Sequence, residues 1–145
     1  MLDPNEWARN VDTAITTRRV EEARRNSEFT ARREFIKSRA PALWEDLQES
    51  FKVLCTAFNA RGKMTLVPTR SGPDLLLIKR DGGVETLTVV HDPNTHEVSV
   101  RPGRKYRPTI IPVGDGQIAL SAVGQMFSCE DVAKESLEGF IRLVG

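Results

Sequence analysis

The sequence predicts an α+β protein on three observations: helical spacing of apolar residues up to Asn59, short β-rich runs after Gly62, and a closing amphipathic helix. The expected architecture is a long N-terminal helix kinked at Pro41, a six-stranded antiparallel β-meander, and a C-terminal helix packed on the sheet.

The first helix opens at Asp3, a capping residue, with Pro4 in the first helical position and Glu6 at the third. Its apolar content is sparse: Trp7, Val11 and Ile15 form one stripe and Phe29, Phe35 and Ile36 another, with Val20 and Ala23 between. Such a segment buries no wide face. Pro41 lacks the N–H that would bond four residues back and pushes Ala40 from helical angles, so the spacing predicts a break or kink there. A second helical stretch then carries Leu43, Leu47, Phe51, Leu54 and Phe58 on one side, with Trp44 and Cys55 alongside, and stops at Gly62. Two regions follow from this reading: residues 1–40 as a charged helical arm and residues 41–145 as an α+β core.

After Gly62 come six candidate strands, 64–67, 75–79, 84–91, 97–101, 106–113 and 117–123. Turn chemistry separates them: Asp81-Gly82 suits a primed hairpin, Asp92-Pro93 a type I turn, and Pro102-Gly103 a type II turn. Pro68, Pro108 and Pro112 donate no ladder bond, which places their strands at edges or bulges. Ser128 and Asp131 have capping-box spacing and start the last helix, whose apolar face is Ala133, Leu137, Phe140, Ile141 and Val144.

The chain has 145 residues, a net charge of +1 and 28% charged residues, ordinary values for one folded domain and too little charge to imply a polyanionic partner by itself. Its two cysteines, Cys55 and Cys129, are too few and too far apart for a disulfide scaffold, which points to a reducing, cytoplasmic setting. The first residues are acidic where a signal peptide is basic, and the longest aliphatic run is Leu75–Ile78, so neither export nor membrane insertion is expected.

Candidate chemistry is thin. His91 and His96 flank one turn and would face each other across a hairpin, but with only Asp92 and Glu97 nearby they make an incomplete zinc set, and they read as solvent-exposed imidazoles. Cys129 stands at a helix start, beside Glu130 and Asp131, whose charges oppose thiolate formation. No nucleophile elbow, phosphate loop or dinucleotide fingerprint occurs, so no catalytic residue, cofactor or metal is assigned and the chain reads as non-enzymatic.

The cation clusters carry more. Arg101, Arg104, Lys105 and Arg107 surround Tyr106 on one hairpin, a set suited to phosphates and a stacked base, although cations also protect sheet edges. Along the arm Arg18, Arg25, Arg32 and Arg39 recur every seven residues. Pairs four apart, Glu21 with Arg25, Glu28 with Arg32 and Arg24 with Glu28, would neutralise part of that charge.

In element order the chain resembles helix-grip folds, in which a curved sheet wraps a long helix; that resemblance implies a cavity for a small apolar ligand. The leading expectation is an intracellular adaptor or assembly subunit that meets another protein, or a second copy, through the arm and a sheet edge. The alternatives are an anion- or nucleic-acid-binding module using the hairpin 101–107, and a carrier of a small apolar ligand.

Overall fold

The computed structural model describes residues 1–102 and 107–145. The elements run α1 (Pro4–Asn59), β1 (Leu66–Arg70), β2 (Leu75–Arg80), β3 (Thr86–His91), β4 (Val98–Arg101), β5 (Thr109–Gly114), β6 (Gln117–Ala122), β7 (Gln125–Phe127) and α2 (Cys129–Val144). The class is α+β, with two antiparallel sheets of order β1-β2-β3-β4 and β5-β6-β7. The chain divides into two compact units, Met1–Phe35 and Ile36–Gly145.

The single six-stranded meander is therefore corrected to seven strands in two sheets among the described residues. Among the described residues the antiparallel order continues between the sheets as a bridge, Glu97 opposite Thr109. The Val98 N–H donates to the Pro108 carbonyl at 2.8 Å and the Ile110 N–H to the His96 carbonyl at 2.9 Å. The strand absent from the sequence reading is β7. Its turn is Val123-Gly124, both at positive φ (46° and 76°). A β-branched residue is rarely found there, so the pair carries no turn signature.

The expected two-part helix is also corrected, since α1 is one helical element through Pro41. Proline inside a helix forfeits one backbone bond at a cost of about 3 kcal/mol. Ile36, Ala40, Trp44, Leu47, Phe51 and Cys55 are buried on both sides of it, at steps of four and three, and that burial offsets the loss. Leu43, Leu54 and Phe58, expected on the same side as Leu47 and Phe51, are partly buried against the core.

Local signals set the helix ends as the sequence reads. The Asp3 carboxylate accepts the Asn5 N–H at 2.9 Å. Beyond Asn59 the Gly62 N–H donates to the Asn59 carbonyl, and Gly62 takes φ +75°. The Asn59 side chain then holds Leu66 by both backbone groups, at 2.8 and 2.7 Å, which places the first residue of β1. Ser128 and Asp131 form a reciprocal capping box at the start of α2.

In the second unit, alternate side chains of β2, β3 and β4 (Leu76, Ile78, Leu87, Val89, Val98, Val100) share one apolar cluster with α1. Ile110 and Leu120 of the second sheet and Val132, Ala133, Leu137, Phe140 and Val144 of α2 join the same cluster. Pro68 lies in the edge strand β1, and the pairing of β5 with β6 shifts register between Pro112 and Gly114. Replacing fully buried Phe140 by alanine is expected to cost about 3–5 kcal/mol. Val53→Ala, on the exposed side of α1, is expected to change stability by less than about 0.5 kcal/mol. Urea titration of the two variants checks both.

Candidate functional site

The first unit offers a helix face. Apart from half-buried Glu21, every residue up to Glu34 is exposed. Trp7 and Phe29, with 55% and 66% of their surface open to solvent, are the largest apolar groups on it. Trp7, Val11 and Ile15 follow at steps of four, and Phe29 lies about five turns beyond Val11 at about 3.6 residues per turn. All four share one side of the helix. Arg18, Arg25 and Arg32, at seven-residue steps, continue that same side, so the apolar stripe runs on into the basic one.

Of the ion pairs the spacing suggests on this helix, Arg24 with Glu28 forms, while Glu21 with Arg25 and Glu28 with Arg32 do not among the described residues. Arg24 holds both Glu21 and Glu28 at 2.9 Å, and Arg18 holds Glu22 at 3.3 Å. The two carboxylates expected on Arg25 and Arg32 are thus taken by Arg24. Among the described residues Arg25 and Arg32 form no ion pair. Arg39, the fourth residue of the series, lies in the second unit.

The second unit contains a cleft of about 540 Å³ between α1, the end of β1, and the turns after β1 and β3. Lys37, Pro41, Trp44, Pro73, His91 and Pro93 are among its lining residues. The Trp44 indole N–H donates to the Pro73 carbonyl at 2.8 Å, which fixes the ring. His91 is the last residue of β3, and strand alternation turns it inward like Leu87 and Val89. Asp74 holds it twice: the His91 N–H donates to the Asp74 carbonyl at 3.0 Å, and Nδ1 lies 2.9 Å from a carboxylate oxygen. A carboxylate accepts, so Nδ1 carries a proton. The Nε2 of the same ring is buried without a hydrogen-bond partner. The His91 ring stands 5.7 Å from that of Trp44 at 28°, and the His96 ring 6.4 Å beyond at 30°.

The two histidines are consequently buried, where the sequence reading exposes them at a hairpin tip. His96 sits in the left-handed region (φ 60°), and its N–H closes the turn on the Asp92 carbonyl at 2.8 Å. The Asp92 carboxylate accepts the Asn94 and Thr95 N–H groups, which holds its pKa below the ordinary value. Alternation along β3 was the one signal in the sequence that would have turned His91 inward. Trp44 and Asp74 carried none, because they meet His91 only in the fold.

Of the basic hairpin, Arg104, Lys105 and Tyr106 lie outside the described residues. Arg101 and Arg107 are exposed, and Arg107 stands 3.9 Å from Glu97, an acid beyond the stretch that reads as purely basic. Arg70, at the end of β1, donates to Gln48 at 2.9 Å and pairs with Glu45. Among the described residues no three His, Cys, Asp or Glu side chains are grouped to hold a metal ion, and no helix is long and apolar enough to cross a membrane.

The chain matches no protein-family model, and no match to it was found among curated proteins or solved structures.

Both cysteines are free. Burial pushes each thiol up to about 11, Asp46 adding to the effect at Cys129, whose Sγ lies 3.7 Å from the Leu43 carbonyl. A raised pKa lowers the thiolate fraction, and the thiolate is the reactive form. Labelling of the folded chain by Ellman's reagent at pH 8 is therefore expected to be slow at both sites, and rapid for both thiols in guanidinium chloride.

Proposed function

We propose that this chain is a non-enzymatic assembly protein that works through its helical arm, and that the arm pairs with the arm of a second copy in antiparallel fashion. One observation supports this above the others: the exposed face of the arm is complementary to itself when reversed. Its first part carries Trp7, Val11 and Ile15, with Asp3, Glu6 and Asp12 against Arg9 alone. Its second part, from Arg18 to Arg33, carries six arginines against Glu21, Glu22 and Glu28.

Two copies laid antiparallel about Arg18 bring Trp7 of each against Phe29 of the other, flanked by Arg25 and Arg32. An aromatic pair and two guanidinium groups beside an indole are favourable contacts. The acidic end of each arm then faces the basic stretch of its partner, while a parallel pair sets like charges side by side. Such a pair is isologous, the commonest form of homodimer contact. Burying two Trp and two Phe side chains at about 1.5–3 kcal/mol each is comparable with an association cost of about 4–15 kcal/mol, so the pair is expected to be reversible.

The orientation is testable with single cysteines off the contact face. Ala8→Cys and Asn26→Cys chains, mixed and treated with a short bismaleimide, are expected to give the mixed cross-link. In the antiparallel pair the two copies of position 8 stand about 30 Å apart at about 1.5 Å per residue, so Ala8→Cys alone is expected to give none. Cross-linking of each variant to itself, without the mixed product, would establish a parallel pair. In sedimentation, the wild-type chain is expected to dimerise and the Trp7→Ala/Phe29→Ala double variant to remain monomeric. A wild-type chain that stays monomeric at every concentration overturns self-pairing.

A further inference from the structure

We infer that Asn59 and Pro68 close the outer edge of β1 against a strand from a second chain, with Asn59 standing where that strand's backbone would bond. This inference is independent of the arm, since Asn59, β1 and β2 all belong to the second unit.

Among the described residues β1 pairs with β2 alone, so its other side is a sheet edge. Which backbone groups face that edge follows from the ladder. The Asp81 N–H donates to the Thr65 carbonyl at 2.8 Å, and the Ser71 N–H to the Leu75 carbonyl at 3.0 Å. Hydrogen-bonded positions alternate in an antiparallel pair. Residues 65, 67, 69 and 71 therefore bond toward β2, while Leu66, Pro68 and Arg70 turn their backbone groups outward. A strand added to this edge would take its bonds from those three.

Two of the three are already closed. The Asn59 Nδ2 donates to the Leu66 carbonyl at 2.8 Å, and its Oδ1 accepts the Leu66 N–H at 2.7 Å. A side-chain amide holds the same donor and acceptor as a peptide unit, so Asn59 makes the pair of bonds that an opposing residue would make. Pro68 has no N–H to give. Arg70 is left as the one outward residue that offers both a donor and an acceptor, too little for a ladder. The edge calls for such closing, because Val67 and Thr69 are exposed strand formers and the one charge in β1, Arg70, stands at its far end. The edge at β7 differs. That strand has three residues, and the two-residue turn before it leaves Met126 alone facing outward, so its shortness suffices.

The test uses the full-length chain carrying Trp7→Ala and Phe29→Ala, so that contacts of those arm residues do not enter. Adding Asn59→Ala and Pro68→Val together is expected to cause concentration-dependent association in sedimentation beyond that background, with new hydrogen-exchange protection at the Arg70 amide. Pro68→Val alone is expected to associate at least about tenfold more weakly, because Asn59 still holds both bonds of Leu66. A folded chain with both substitutions that gains no association, or gains it without protection of Arg70, overturns the inference. Equal association with and without Asn59→Ala overturns the part given to Asn59. Hydrogen exchange of the unsubstituted chain reads the same contact whether or not the variants fold. There the Leu66 amide is expected to exchange more than about tenfold slower than the Arg70 amide, and equal rates overturn the closure.

Discussion

The structure of the second unit depends on burying one side of α1. Trp44, Leu47, Phe51 and Cys55 lose nearly all contact with water, and strands of both sheets and α2 supply the atoms that replace it. At about 1.5–3 kcal/mol for each large side chain, this burial exceeds what any cap or surface pair contributes. It also explains how a helix tolerates Pro41 in its interior. The missing bond costs less than unpacking the residues on either side of it.

Where that buried face runs out, the cleft begins. Trp44 is the point of change: one part of the indole belongs to the core and its N–H reaches the turn after β1. His91 occupies a position that alternation along β3 assigns to an apolar residue. A buried imidazole needs hydrogen-bond partners, and Asp74 meets that need at the backbone and at Nδ1. Nε2 remains without a hydrogen-bond partner, an energetic cost that valine or leucine at this position avoids.

The arm obeys different physics. Its residues are exposed almost throughout, so the helix there rests on propensity, on the Asp3 cap and on ion pairs. Isolated helices held in this way are marginal in water, and an apolar stripe left uncovered adds no stability of its own. Trp7 and Phe29 are therefore difficult to explain as features of a solitary helix. The guanidinium groups of Arg25 and Arg32, on the same side, form no ion pair among the described residues. Spacing alone paired them with Glu21 and Glu28, whereas one arginine, Arg24, satisfies both carboxylates. Residues three and four apart compete for a common partner, and sequence spacing does not rank the competitors.

Much of the fold was legible because its signals act within a few residues. Asp3, Gly62 and the Ser128–Asp131 box mark helix ends through local hydrogen bonds, and the change of apolar period after Gly62 separates helix from strand. The turn at Val123 was illegible because its residue types do not favour its backbone angles. Of the cleft, only the two histidines stood out, and their burial did not. The sequence by itself determined the element types, their order and most of their limits, because backbone hydrogen bonding and side-chain periodicity are local. Only the tertiary structure decided the split into two sheets, the rotation of the α1 face toward Trp44, and the meeting of Trp44, Asp74 and His91. Those outcomes depend on contacts between residues far apart in the chain, whose energies no local pattern records.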